Sequence, residues 1–271
     1  MSFSPKQLTI FRWWTSPPGE ELDGIICDGA VRSGKTMCMS LSFVMWAQTN
    51  FSGRSFAICG KTIASVRRNI IGTLTEMSKK AGFSVDECLS KNYLDISLGG
   101  VSNRFYIFGG RDESSAALIQ GMTLAGVLFD EAALMPRSFV EQAAARCSVT
   151  GSKLWFNCNP ESAYHWFKRE WVDKATEKRL MYVHFTLDDN PSLSPQVKER
   201  YRRLYSGAFY ERFILGRWVN ADGLVYPMFS EKDHVANKLP TKFEKYIVSC
   251  DYGTVKNIGS RDGAETVQLY I

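Results

Sequence analysis

Short apolar runs alternate with amphipathic stretches along most of the chain, and this alternation sets its expected elements. Residues 24–28, 54–59, 124–129, 152–157 and 180–186 are apolar runs of strand length, and 93–97 and 104–108 read as two more strands. Between them, 35–48, 63–80, 138–147 and 164–174 carry a helical pattern, and 114–119 a short helix. The segment 1–23 reads as a polar and aromatic lead-in that closes at the turn Pro17, Pro18, Gly19. Strands alternating with helices predict an α/β fold, a mainly parallel sheet covered by helices on both faces. Composition shifts after Asn190 and Pro191. From 195 to 218 the chain reads as two helices broken at Ser206 and Gly207. There Lys198, Arg200, Arg202, Arg203, Arg212 and Arg217 meet only Glu199 and Glu211, the pattern of a small basic helical subdomain. A last strand over 246–250 ends in Asp251.

With 271 residues, 45% apolar and 23% charged, the chain has the composition of a soluble globular protein, not of a disordered chain, a collagen or a coiled coil. A net charge of +5 is compatible with nucleic acid without establishing it. No run of about 18 apolar residues exists, so no membrane span is expected. The start lacks the layout of a secretory signal. Seven cysteines without a C-x-x-C pair argue against a disulfide framework or a zinc site, and for reduced thiols in a cytoplasmic compartment.

The most specific motif is GAVRSGKT over 29–36, which fits G-x-x-x-x-G-K-[ST] with an expected strand before it and a helix after it. Gly29 and Gly34 let the backbone N–H groups turn toward phosphates. The helix from Lys35 adds its positive end, Lys35 a charge for the β- and γ-phosphates, and Thr36 a hydroxyl for Mg²⁺. The motif makes this the expected phosphate loop of a P-loop NTPase. Gly29, Arg32, Ser33, Gly34, Lys35 and Thr36 are its expected nucleotide-binding residues. Arg32 allows two readings, a solvated loop tip or a guanidinium that stabilises the transition state from within the subunit.

The run Val127, Leu128, Phe129 ends in Asp130 and Glu131, where Asp130 would hold Mg²⁺ and Glu131 would polarise the attacking water. The bland alternative is a cap followed by a helix start. Asn157, Cys158, Asn159 and Pro160 follow another buried strand and read either as a polar sensor of the γ-phosphate or as an Asn-Pro turn. His165 stands alone and reads as structural. Asp188 and Asp189 read as a solvated turn. Asp251 is a single carboxylate, and Asp262 and Glu265 follow it in a spacing that reads as a tail.

Taken together, these stretches resemble the large terminase subunit of tailed bacteriophages. The resemblance runs from Ser4, Pro5, Lys6 and Gln7 through the phosphate loop with Arg32 to LFDEA at 128–132. It continues with NCNP at 157–160, His165 and Trp166, DDNP at 188–191, GRW at 216–218 and SCDYG at 249–253, in order over about 4–254. It implies an ATP-hydrolysing, Mg²⁺-dependent motor that drives double-stranded viral DNA into the procapsid. Implied partners are the portal protein, the small terminase subunit and further copies in a ring, in the host cytoplasm. It gives Gln7 a contact with adenine, Glu131, Arg32 and Lys35 the catalytic roles, and Asn159 the coupling role, although Cys158 stands where the family usually has Ser or Thr. It implies a P-loop ATPase domain at 1–190, a helical lid at 191–225 and the start of an RNase H-like nuclease domain at 226–271, with Asp251 as its metal ligand. After Thr254 the chain departs from the family pattern, and DNA cleavage is not expected of it. Two other readings are a helicase-type P-loop ATPase and an inactive remnant. Arg104, Arg111 and Arg146 are equal candidates for an arginine acting on a neighbouring subunit.

Overall fold

The computed structural model describes residues 3–220 and the backbone at 248–251 and 267–270. Two compact units divide the chain at Leu224 and Val225. In the second, β9 (Val248–Asp251) pairs antiparallel with β10 (Val267–Tyr270). The side chain of Asp251 and all of Asp262 and Glu265 lie outside the described residues.

The first unit opens with a helix in place of the expected lead-in. In α1 (Pro5–Arg12), Ser4 Oγ accepts from Gln7 N and Gln7 Oε1 accepts from Ser4 N, a reciprocal cap with Pro at the first position. A short α2 (Pro17–Glu20) leads into β1 (Gly24–Gly29), and the phosphate loop joins β1 to α3 (Lys35–Asn50). The serines inside the apolar run of α3 have a use: Ser42, fully buried, donates to Ile10 O at 2.6 Å and accepts from Trp14 Nε1 at 3.2 Å, fastening α1 to α3.

Next come β2 (Ser55–Gly60), α4 (Ile63–Val66), a π-helical turn at Arg67–Ile71 and α5 (Gly72–Lys80). The helix expected over 63–80 is thus present but widened in its middle. Then follow β3 (Ser84–Cys88), β4 (Tyr93–Leu98) and β5 (Val101–Gly109). The strand β3 is additional to those expected from the sequence. It is an edge strand in which only Val85 is buried, too weak a pattern to separate from a loop. The rest of the sheet is β6 (Gly126–Asp130), β7 (Lys153–Asn157) and β8 (Leu180–Phe185), with α6 (Arg137–Ala145) between β6 and β7. In place of the helix expected over 164–174 stands a π-helical turn at Lys168–Val172.

The eight strands lie in the order β3-β4-β5-β2-β6-β7-β1-β8. The six from β5 to β8 are parallel, and β3 and β4 form an antiparallel edge. Every residue of β1 and β6 is buried, as strands covered on both faces require. Alternation divides them: Ile25, Cys27 and Leu128 join a cluster with Trp13, Phe43 and Trp155, while Ile26, Val127 and Phe129 join Phe139, Phe156 and Phe167 on the other face. The aromatic layers are tight, with Phe129 and Phe156 stacked at 4.8 Å. One consequence of the strand order governs the site. β7 separates the strand that feeds the phosphate loop from the strand that ends in Asp130, and its last residue, Asn157, is level with both Cys27 and Asp130. A cleft therefore opens at the carboxyl ends of these strands, with an asparagine between its two halves.

The helical subdomain consists of α7 (Pro195–Leu204), capped by Ser194, and α8 (Gly207–Phe213). No residue of α7 is buried. Ile214 and Leu187 pack on Ala30 of the loop.

Candidate functional site

Turning the chain from β1 into α3 requires glycine at both ends of the loop, Gly29 and Gly34. Gly34 has φ +86°, and a Cβ there would stand 2.5 Å from Gln7 Nε2. Gln7, 2% exposed, donates from that nitrogen to Ser33 O at 3.0 Å, so α1 braces the loop from behind. Asn190 braces it from the other side, donating to Arg32 O at 2.6 Å. The solvated turn expected at 188–189 is thus part of the loop's support: Asp189 accepts from Thr186 N at 2.7 Å and from Lys6 Nζ at 2.8 Å.

The floor of the cleft is a bonded polar layer. Lys35 Nζ donates to Gly29 O at 3.0 Å, Ala30 O at 2.7 Å, Ser33 Oγ at 3.2 Å and Asn159 Oδ1 at 3.3 Å. Burial brings its pKa down to about 8, against the pull of nearby acidic groups. Thr36 Oγ1 lies 3.4 Å from Asp130 Oδ1. Asn157 Nδ2 reaches both, at 2.9 Å and 2.6 Å. Burial raises Asp130 to about 6, with the amide of Asn157 acting against it. Asn157 Oδ1 is buried without a hydrogen-bond partner among the described residues. The carboxylate of Asp130 and the hydroxyl of Thr36 are hard oxygen donors side by side, which suits Mg²⁺.

The rim is different. Arg32 (φ 59°) and Glu131 (φ 57°) both hold left-handed backbone, uncommon for side-chain-bearing residues and here paired across one cleft. Arg32 is exposed and makes no side-chain hydrogen bond or ion pair among the described residues, while Glu131 is half-buried beside Asp130. Asn159 Oδ1 accepts from Lys35 Nζ, which sets it against the lysine of the loop.

Below the loop, fully buried Asp28 accepts from Tyr182 Oη at 2.9 Å and Trp218 Nε1 at 2.5 Å, and pairs with His184 Nδ1 at 2.9 Å. That bond raises the pKa of His184, whose Nε2 lies 2.9 Å from Leu215 O. The segment after α8 is thereby tied to β1. Phe213 O accepts from Val31 N at 3.2 Å, and Arg212 Nε donates to Pro160 O at 3.0 Å and pairs with Glu161 at 2.5 Å. His165 Nδ1 accepts from Phe167 N, a structural use. Of the three arginines, Arg104 is held by Asp95 through two bonds of 2.8 Å, Arg146 Nε is buried, and Arg111 is exposed.

Sheet order, loop and acidic strand end define a P-loop nucleotide-binding fold. The chain matches the family described as "Terminase large subunit, T4likevirus-type, N-terminal" over residues 26–233, and it belongs to that family. It is similar to the large terminase of a thermophilic bacteriophage, at 57% identity and a TM-score of 0.80, covering 94% of this chain and 63% of that one. A structure of the same thermophilic-phage protein in complex with ATP-γ-S is 55% identical, with a TM-score of 0.78, over 93% of this chain and 62% of that one. The chain therefore spans somewhat less than two thirds of the relative's length. The large terminase ATPase domain of Thermus phage P74-26 shares the fold at 18% identity and a TM-score of 0.58, over 79% of this chain and 92% of that one. No curated protein matched the chain. Among the described residues, no helix is long and apolar enough to cross a membrane.

Proposed function

We propose that the chain hydrolyses ATP in this cleft and that the energy drives double-stranded DNA into a procapsid. The observation that carries the reading is the floor of the cleft: Thr36, Asp130 and Asn157 are joined by hydrogen bonds, and Lys35 lines the same cleft, held by the loop carbonyls, Ser33 and Asn159. The ATP-γ-S complex of the thermophilic-phage relative supports the choice of nucleotide.

In this reading, phosphate oxygens replace the loop carbonyls as the partners of Lys35. Thr36 and Asp130 would hold Mg²⁺, which neutralises charge on the phosphates when bound. Asn157 fixes the spacing of those two groups. Glu131 accepts the proton of the attacking water, and its left-handed backbone aims it from the strand end into the cleft. Arg32 faces the developing charge. Gln7, which already fixes the Ser33 carbonyl, serves the adenine end. Asn159 links Lys35 to Pro160 and Glu161, and Arg212 carries that link to α8, a continuous route from phosphate to lid.

Contacts with DNA run to its phosphates, which basic side chains meet without reading sequence. Arg200 and Arg203 on α7 are exposed, whereas Arg202 is occupied by Asp188 at 2.5 Å. Copies of the chain assemble as a ring with the portal protein and the small terminase subunit, in the host cytoplasm, and Arg111 is the exposed arginine placed to serve a neighbour. The test is ATP turnover by the purified chain with Mg²⁺, with and without double-stranded DNA. Mg²⁺-dependent turnover that rises with DNA is expected, and no turnover under either condition would overturn the proposal.

A further inference from the structure

The π-helical turn after β2 leaves a feature of the cleft that no motif accounts for. Its five residues, Arg67–Ile71, split two adjacent arginines. Arg67 turns away to β3 and the loop beyond, where it pairs with Glu87, donates to Asn92 Oδ1 at 3.1 Å and reaches Leu89 O. Arg68 turns the other way and, with Asn69, lines the same cleft as Lys35, Asp130 and Glu131. Around the turn, Val66, Ile70, Ile71 and Leu74 are all buried, at 3% exposure or less. The two arginines lie on opposite flanks.

Arg68 is exposed, and its side chain donates to the neutral Asn69 Oδ1 at 3.3 Å. No carboxylate neutralises it among the described residues. Asn69 lines the same cleft as Asp130, and its amide acts to lower the pKa of that carboxyl. A guanidinium free of acidic partners, on the wall of a cleft built for phosphates, has the fork geometry that phosphate oxygens accept. We infer that Arg68 is a nucleotide-binding residue of the same subunit, contacting the phosphate chain of ATP from the wall of the cleft. This rests on the nucleotide reading of the cleft and adds a residue to it.

The neighbouring arginine supplies the control. ATP-γ-S affinity is measured by calorimetry with Mg²⁺ for the wild-type chain, Arg67→Ala, Arg68→Ala and Arg68→Gln, with a thermal melt of each. Removing a charge-assisted hydrogen bond to phosphate weakens binding about tenfold or more. Arg68→Ala and Arg68→Gln should both be weakened to that extent, with melts close to wild type. Arg67→Ala, which breaks the pair with Glu87, should lower the melting temperature and leave affinity within about twofold. Equal affinities for Arg68→Ala, Arg68→Gln and wild type would overturn the inference while leaving the nucleotide site intact. Wild-type protein that fails to bind ATP-γ-S would overturn the nucleotide reading and this inference with it.

Discussion

The floor and the rim of the cleft solve opposite problems with similar residues. On the floor, Ser33, Lys35, Asp130 and Asn157 are at most 5% exposed, and each is hydrogen-bonded within the layer. On the rim, Arg32, Arg68 and Asn69 are exposed, and Glu131 is half-buried. Burying two charges in the floor costs folding energy, visible in the pKa of Lys35 lowered to about 8 and that of Asp130 raised to about 6. On the proposed reading, the groups that would grip the nucleotide then stand in place before it arrives. The rim groups are solvated and can take up a new arrangement as charge develops. Binding should therefore depend on the floor and on Arg68, and turnover on the other rim groups, Arg32 and Glu131.

Arg32→Ala should break that division most sharply on the rim. If Arg32 stabilises the transition state, kcat falls about 10³-fold while ATP-γ-S affinity changes only a few-fold. Equal losses in kcat and affinity would make Arg32 a ground-state contact and move it functionally to the floor. No loss at all would return it to the solvated loop tip.

A smaller effect is expected on stability. The carboxyl of Asp130 holds its proton more tightly in the folded chain, about 6 against 3.8, so its ionised form destabilises the fold above about pH 6. As pH falls from about 6 toward 4 that penalty disappears. Asp130→Asn should thus be more stable than wild type at pH 8, by on the order of 1–3 kcal/mol, with the difference shrinking toward pH 4. Denaturant melts at the two pH values measure it. A variant less stable than wild type at pH 8 would show that the floor bonds outweigh the burial cost.

Much of the floor is legible in the sequence because its parts are local. The phosphate loop is one contiguous motif, and Asp130 and Glu131 end an apolar run that can only be a buried strand. The fold class follows from the alternation of strands and helices for the same reason. What escapes the sequence is set by distance or by phase. Asn190 braces a loop 158 residues away, and the insertion of β7 between β1 and β6 is a matter of strand order, which periodicity does not encode. Arg67 and Arg68 are indistinguishable in the sequence, and only the structure shows that Arg68 lines the cleft while Arg67 pairs with Glu87. The helix α1 is a different kind of omission, since Ser4, Pro5 and Gln7 do spell a capping box; the aromatic residues that follow obscure it.

The division between floor and rim can be measured directly by taking ATP-γ-S affinity and ATP turnover side by side on Lys35→Ala and Glu131→Gln. Lys35→Ala removes the cation of the floor and should lose both. Glu131→Gln keeps the shape of the side chain but cannot take a proton, so it should bind within a few-fold of wild type and turn over about 10²–10⁴-fold more slowly. Wild-type turnover in Glu131→Gln, or wild-type affinity in Lys35→Ala, would contradict the account.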